Sequence, residues 1–312
     1  MDIKEKRVSY MEIAVVLLII PIVYLFLIMP HMGKGVLCAG QKAETTDSVC
    51  SEALTGSVEE LLAGTRYQKN FAFSNRIYYA HRGLHDNKGD APENSMRAFQ
   101  KAVDAGYGIE LDVQLTKDRI PVVFHDAALK RVCHAPGNVR DYTFEELQNL
   151  TLCESDQRIP QFEDFLKLVD GKVPLIVEIK IHENAAAVCS AVDQLLRKYR
   201  GLYCIESFHP LAVRWYKKNR PEVVRGQLSS NFFRTQKSES IAHWLVHHLL
   251  TNVLCRPVFI AYDHRFQDNL SRRLCRKMGA LSVAWTVKSQ KELDACKKEF
   301  DLFIFEGFIP EG

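Results

Sequence analysis

The first long apolar run of the chain, residues 13–29, contains no charged residue. As a helix rising about 1.5 Å per residue it would span roughly 26 Å, close to the hydrocarbon core of a bilayer. Lys4, Lys6 and Arg7 precede it, which would also suit a signal peptide. The run is long for that role, however, and ends in Met29-Pro30-His31-Met32, with no small-x-small cleavage site before about Cys38-Ala39-Gly40. Pro21 is tolerable within a spanning helix. The pattern predicts a tail over 1–12, one N-terminal transmembrane helix over 13–30 and a linker over 31–75. The linker is polar, small-residue-rich and without sustained periodicity, with one short helix around 58–63.

From residue 76 onwards, short β-branched or aromatic runs alternate with helical patterns, the mark of βα units and a mostly parallel sheet. The strand candidates are 77–80, 108–112, 175–180, 202–207, 223–228, 258–262, 281–286 and 302–306. Amphipathic helices lie between most of them. In 95–105, Met96, Phe99, Ala102 and Val103 share a face, Asn94 or Ser95 caps the start and Gly106 stops it. This count of strands, with intervening helices, predicts a (β/α)8 TIM barrel over 76–312. One segment breaks the alternation. Between Asp112 and His125 there is no room for a helix, so a hairpin turning near 117–119 is expected to bring His125 back beside Asp112.

Composition narrows the class. A formal charge of +3, with no basic cluster or aromatic-rich RNA motif, excludes nucleic acid as the expected partner. Nine cysteines at scattered positions form no regular disulfide framework, which suits a reducing compartment. The basic residues before the apolar run outnumber Lys34 and Lys42 after it, which by the positive-inside rule favours an outside domain. The two signals conflict; the expectation is a single-pass membrane protein with a slight preference for a cytoplasmic domain.

The chemistry sits at the predicted strand ends, where (β/α)8 enzymes carry their reacting groups. Strand one ends in His81-Arg82-Gly83, and strand two carries Glu110 and Asp112 on one side. The hairpin delivers His125-Asp126, and strand three ends in Glu178-Ile179-Lys180. Glu110, Asp112 and Glu178 make an all-oxygen set suited to Mg²⁺ or Ca²⁺. Arg82 and Lys180 add fixed positive charge that suits a phosphate. Two histidines at one barrel mouth can act as general base and general acid. Together these are the requirements of phosphodiester hydrolysis.

The order and spacing of the motifs resemble the glycerophosphodiester phosphodiesterase family, within the phosphatidylinositol-phospholipase-C-like superfamily. The matching strings are Ala80-His81-Arg82-Gly83, Pro92-Glu93-Asn94-Ser95, Glu110-Leu111-Asp112-Val113, Thr116-Lys117-Asp118 and Val122-Val123-Phe124-His125-Asp126. Glu178-Ile179-Lys180, Ser207-Phe208-His209-Pro210 and Trp285-Thr286-Val287 extend the match to about residues 78–305. The resemblance implies His81 and His125 as the acid/base pair, and Glu110, Asp112 and Glu178 as ligands of one divalent cation. It implies Arg82 and Lys180 as phosphate holders and Asn94 as a buttress, with Ser207, Phe208 and Trp285 lining or supporting the substrate pocket. The implied reaction releases an alcohol and glycerol 3-phosphate from a glycerophosphodiester. A lysophospholipase D using the same residues with a wider apolar entrance is the alternative. A non-catalytic, membrane-tethered lipid-binding module is disfavoured by the complete set of polar groups. Phe305-Glu306-Gly307 departs from the family's usual Thr-Asp in the last strand.

Two further features have plainer readings. His243 and His247 stand at a zinc-compatible spacing, but no Glu follows His243, so structural or surface roles are expected. The apolar helix expected over 241–254 reads as an ordinary barrel helix, with a bilayer-resting surface as the other reading.

Overall fold

The computed structural model describes residues 19–31, 78–182 and 184–311. The expected tail, residues 13–18 of the expected span, all but the first residue of the linker, the helix around 58–63 and the opening residues 76 and 77 lie outside them.

Eight parallel strands close into a barrel. They are β1 (Tyr78–His81), β2 (Gly108–Leu115), β4 (Leu175–Ile179), β5 (Tyr203–Ser207), β6 (Arg225–Ser229), β7 (Phe259–Asp263), β8 (Leu281–Val287) and β9 (Leu302–Phe305). The order β1-β9-β8-β7-β6-β5-β4-β2 is completed by pairing of β1 with β2. Every predicted strand is present, with ends shifted by a residue or two except in β2, which runs three residues further than expected. β2 is the longest because it runs out past the rim and pairs antiparallel with β3 (Pro121–Val123). This is the expected hairpin; its turn places Arg119 at φ +65° and bonds Thr116 to Ile120.

Alternation along the strands sorts the side chains. Ile109, Leu111 and Val113 face outward into the layer shared with the helices, leaving Glu110, Asp112 and Gln114 to the inside. Tyr79, Ile176, Phe259, Ala261, Val283 and Ile304 form a separate apolar cluster that fills the barrel below the polar residues. A third cluster, including Val122, Phe124, Leu129 and Ile159, gives the segment following the hairpin its own small core.

The helix expected over 95–105 is observed as Met96–Asp104, capped by Ser95 and stopped at Gly106 with φ +74°. The apolar helix expected over 241–254 is instead two pieces, Ile241–His247 and Asn252–Cys255. The chain turns between them at Leu249, whose φ of +56° no helix can accommodate.

Of the expected transmembrane span, residues 19–28 are helical. No helix among the described residues is long and apolar enough to cross a membrane. The described part of this run packs on the barrel. Ile28 is fully buried in the main core, and Tyr24 Oη lies 2.7 Å from Ser271 Oγ. A helix end leaves carbonyls without partners. Here Asn252 Nδ2 donates to Ile28 O (2.8 Å), and Arg256 Nη1 donates to Phe26 O and Met29 O (2.9 Å each). His31 then bonds to Pro257, so the linker begins attached rather than loose.

Candidate active site

The register of the parallel strands sets the site at one level of the barrel. His81 pairs with Glu110 across β1 and β2, Asp112 with Glu178 across β2 and β4, and Glu178 with Glu206 across β4 and β5. Neighbouring positions in register present their side chains to the same face, so the carboxylates converge.

The turn after β1 is tightly specified. Arg82 and Gly83 both adopt positive φ, +55° and +83°, and a Cβ on Gly83 would lie 2.8 Å from the backbone of Ala98. Only glycine fits this approach. The turn aims Arg82 inward, where Nη1 lies 2.6 Å from Glu93 Oε1 and Nε 3.3 Å from Asp112 Oδ2.

Glu110, Asp112 and Glu178 are all buried and bring ligand oxygens within 4.8 Å of one another. Burial, then the charges of Asp112, Glu206 and Glu178, push the Glu110 carboxyl well above its ordinary value. Glu206 is raised in the same way by burial and by Glu178. Asp112 is the exception: burial opposes its ionisation, but Lys180, His125 and Arg82 outweigh that and hold it low. Asn94 Nδ2 donates to Asp112 Oδ2 at 2.9 Å, and Lys180 Nζ reaches Glu178 Oε2 (2.8 Å) and Asp112 Oδ1 (3.0 Å). A buried cluster of carboxylates is costly unless cations balance it. The donor set, hard oxygens only, fits a divalent cation of the Mg²⁺ or Ca²⁺ kind.

His81 and His125 stand at the rim on either side, each held by a carboxylate. His81 Nδ1 lies 2.6 Å from Glu306 Oε2, with Nε2 3.8 Å from Glu110. Burial and the neighbouring Arg82 lower the His81 pKa to about 4, against the pull of Glu306, so the ring is neutral at neutral pH. His125 Nδ1 lies 2.5 Å from Asp126 Oδ1. Arg131 then bridges Asp126 to Glu93, which clamps Arg82, so one ion-pair chain runs from His125 to Arg82.

The other expected residues fall into two roles. Phe208 packs edge-on against Trp285 with centroids 5.4 Å apart, and both border open space at the mouth. Ser207 turns away: its hydroxyl donates to Ile179 O at 2.7 Å and accepts from His209 N, stapling β5 to β4. It supports the pocket, whose wall it joins beside Phe208. His243 and His247 do not act together. His243 stacks on Phe232, while His247 Nδ1 lies 3.1 Å from Ser230 O and 3.0 Å from Tyr262 Oη.

Two cavities border this centre. One is a cavity of about 890 Å³ that runs from His125, Glu178 and Lys180 along Phe208, Phe232, Leu245 and Val246. The other is polar, about 520 Å³, bounded by His81, Arg82, His85, Arg265, Trp285 and Lys288.

This is the architecture that comparison with known proteins decides. The sequence model of the glycerophosphoryl diester phosphodiesterase family matches residues 81–301. The chain belongs to that family. It is accordingly a glycerophosphodiester phosphodiesterase, a phosphoric diester hydrolase, as the motifs led us to expect. It is 32% identical over 222 residues to the Bacillus subtilis protein YhdW, which carries a provisional glycerophosphodiester phosphodiesterase name; the match covers 68% of this chain and 86% of that one. A glycerophosphodiester phosphodiesterase of Caldanaerobacter subterraneus is 29% identical, with 70% and 88% covered. Among solved structures, the family enzyme of Thermotoga maritima superposes with a TM-score of 0.57 at 26% identity, covering 75% of this chain and 95% of that one. A phosphodiesterase of Oleispira antarctica, solved with its product sn-glycerol-3-phosphate, shares the fold at 21% identity, with a TM-score of 0.60 and coverage of 74% and 95%.

Four residues that sequence reasoning did not assign belong to this phosphodiesterase site. Glu206 stood at the end of a predicted strand but had no partner in sequence to mark it. Glu306 was noted only as a departure from the family pattern. Glu93 and Arg131 are 38 residues apart, and their bidentate pairing depends on how the hairpin segment folds back.

Proposed function

We propose that His81 and His125 are the acid/base pair of this hydrolase, that Arg82 and Lys180 hold the phosphate, and that Glu110, Asp112 and Glu178 hold one divalent cation. The observation that carries the reading is the meeting, at one barrel level, of a buried carboxylate cluster with two carboxylate-oriented histidines. With Nδ1 of each ring engaged, Nε2 is the atom left for proton transfer to and from oxygen. A cation on the carboxylates supplies Lewis-acid stabilisation of charge developing on the phosphoryl oxygens. Arg82 and Lys180 add charge from the rim, and Phe208 and Trp285 present an apolar edge against which a glycerol backbone can be placed. The products are an alcohol and glycerol 3-phosphate. Assaying product release from glycerophosphocholine and glycerophosphoethanolamine tests this; no release of glycerol 3-phosphate from any such diester would refute it.

A second substrate reading rests on the larger cavity. Its walls at Phe208, Phe232, Leu245 and Val246 are apolar and begin at the reacting centre. An acyl chain on the substrate glycerol would lie there, making lysophospholipids substrates of a lysophospholipase D reaction. Turnover of lysophosphatidylcholine at a rate comparable to glycerophosphocholine supports it; a preference of the bare diester by orders of magnitude counts against it.

For location, we propose that the N-terminal apolar segment associates with a bilayer. Ile19, Ile20, Ile22, Val23 and Phe26 of the described helix are exposed while Ile28 and Tyr24 pack inward. Flotation of the full chain with lipid vesicles, lost on replacing Ile20, Ile22 and Phe26 by Ser, tests this.

A further inference from the structure

Beside the carboxylate cluster lies a second group of a different chemical kind. His81, His85 and Glu306 bring one ligand atom each within 4.8 Å of one another. They come from the end of β1, the turn that follows it and the residue after β9. His81 Nδ1 and Glu306 Oε2 are already 2.6 Å apart. His85 is the unexplained member. Both of its ring nitrogens are buried, and among the described residues neither meets a hydrogen-bond partner. Buried imidazole nitrogens are ordinarily satisfied. An imidazole without partners, held 6.5 Å from the His81 ring by centroids, is a ligand waiting for an atom that accepts its lone pair.

We propose that His81, His85 and Glu306 form a site for a borderline divalent metal, Zn²⁺, separate from the hard-cation site on Glu110, Asp112 and Glu178. Two imidazoles and one carboxylate are a preferred zinc set, with the fourth position open. That position faces the polar cavity bounded by Arg82, Arg265 and Lys288. Lys288 Nζ, 3.1 Å from Glu306 Oε1, takes the oxygen that the ion does not use. The neighbouring cations are each paired, Arg82 with Glu93 and Asp112, Arg265 with Asp263, and Lys288 with Glu306.

Binding has a consequence for turnover, which rests on the acid/base assignment of His81; the binding itself does not. With His81 Nδ1 on the ion, the ring proton is confined to Nε2, which can no longer accept one. Zinc is therefore an inhibitor that acts by occupying the histidine, not by displacing the activating cation.

The test uses the full chain, stripped of metal and then saturated with Mg²⁺. Titration with Co²⁺ is expected to give a visible d–d band that saturates at one equivalent and is abolished by Zn²⁺. His85→Gln is expected to weaken Co²⁺ binding at least about tenfold, and to raise the zinc concentration for half inhibition by the same factor, with Mg²⁺-supported activity retained. His85→Cys restores a ligand, and is expected to recover binding with a near-ultraviolet thiolate-to-metal band. The absence of a band, a band unchanged in His85→Gln, or zinc inhibition relieved competitively by Mg²⁺ would each overturn the proposal. The last result decides on wild-type protein alone, should the variants not fold. A wild type that binds Co²⁺ through His85 yet hydrolyses no diester would retain the metal site while removing the proposed activity.

Discussion

Glu306 Oε2 lies 2.6 Å from His81 Nδ1, so the last strand of the barrel orients the histidine delivered by the first. Glu306 is a positioning residue, and its carboxylate also favours the protonated ring. Glu306→Gln is expected to lower kcat by about 10- to 100-fold with little change in KM. Removing the carboxylate lowers the His81 pKa further, so the acidic limb of the kcat/KM profile should move to lower pH. A profile identical to wild type would mean that Glu306 does not act through His81.

His81→Ala and His125→Ala should each lower turnover by about two orders of magnitude or more. Thermal unfolding should remain near wild type, because both rings lie at the rim. Chelation with EDTA should abolish activity in the wild type, and restoration by Mg²⁺ or by Ca²⁺ identifies the ion. Full activity after chelation would remove the cation from the mechanism.

Glu93 sits between two guanidinium groups, 2.6 Å from Arg82 and 2.7 Å from Arg131. Burial opposes its ionisation, but the hydrogen bonds of Arg131 and the charge of Arg82 outweigh it, lowering the pKa from 4.5 to about 2. A depressed folded-state pKa contributes stability that is fully present above the unfolded value and is lost as pH falls towards the folded one. Glu93→Gln is expected to cost roughly 2 kcal/mol near pH 7, discounted for the partial exposure of Arg131. The gap should narrow between about pH 5 and pH 2. Urea denaturation of both proteins across that range measures it; a gap independent of pH would assign the loss to packing.

Leu245 lines the apolar cavity away from the ion-pair network. Leu245→Asn should lower kcat/KM for lysophosphatidylcholine about tenfold, the loss of roughly 1.4 kcal/mol of apolar contact. The value for glycerophosphocholine should hold within about twofold. Equal losses on both substrates would count against an acyl chain in the cavity.

The barrel was legible because a parallel strand covered on both faces reads as a short β-branched run, and the reacting groups follow it directly. Arg82, Glu110, Asp112 and Glu178 could be placed from strand periodicity alone, and His125 from a gap too short for a helix. What stayed hidden depended on pairings across the fold. Ser207 looks like a pocket residue in a motif, and only the register reveals that its hydroxyl is spent on Ile179. Arg131 lies in a segment of short helical turns with its own core, where no periodicity marks which side chain returns to the mouth. The docking of Ile28 was invisible for a similar reason. Hydropathy reads an apolar run without knowing what covers it, and its partners, Asn252 and Arg256, are more than 220 residues away.

The pairing of β9 with β1 also fixes when the enzyme can begin to work during its own synthesis. His81 emerges first, and the residue that orients it follows 225 residues later. A nascent chain can collapse and begin building its sheet, yet His81 stays unaligned until β9 leaves the ribosome and the ring closes. Alignment of His81 thereby awaits closure of the ring, and a nascent barrel still lacking β9 would hold that histidine without the carboxylate that aims it.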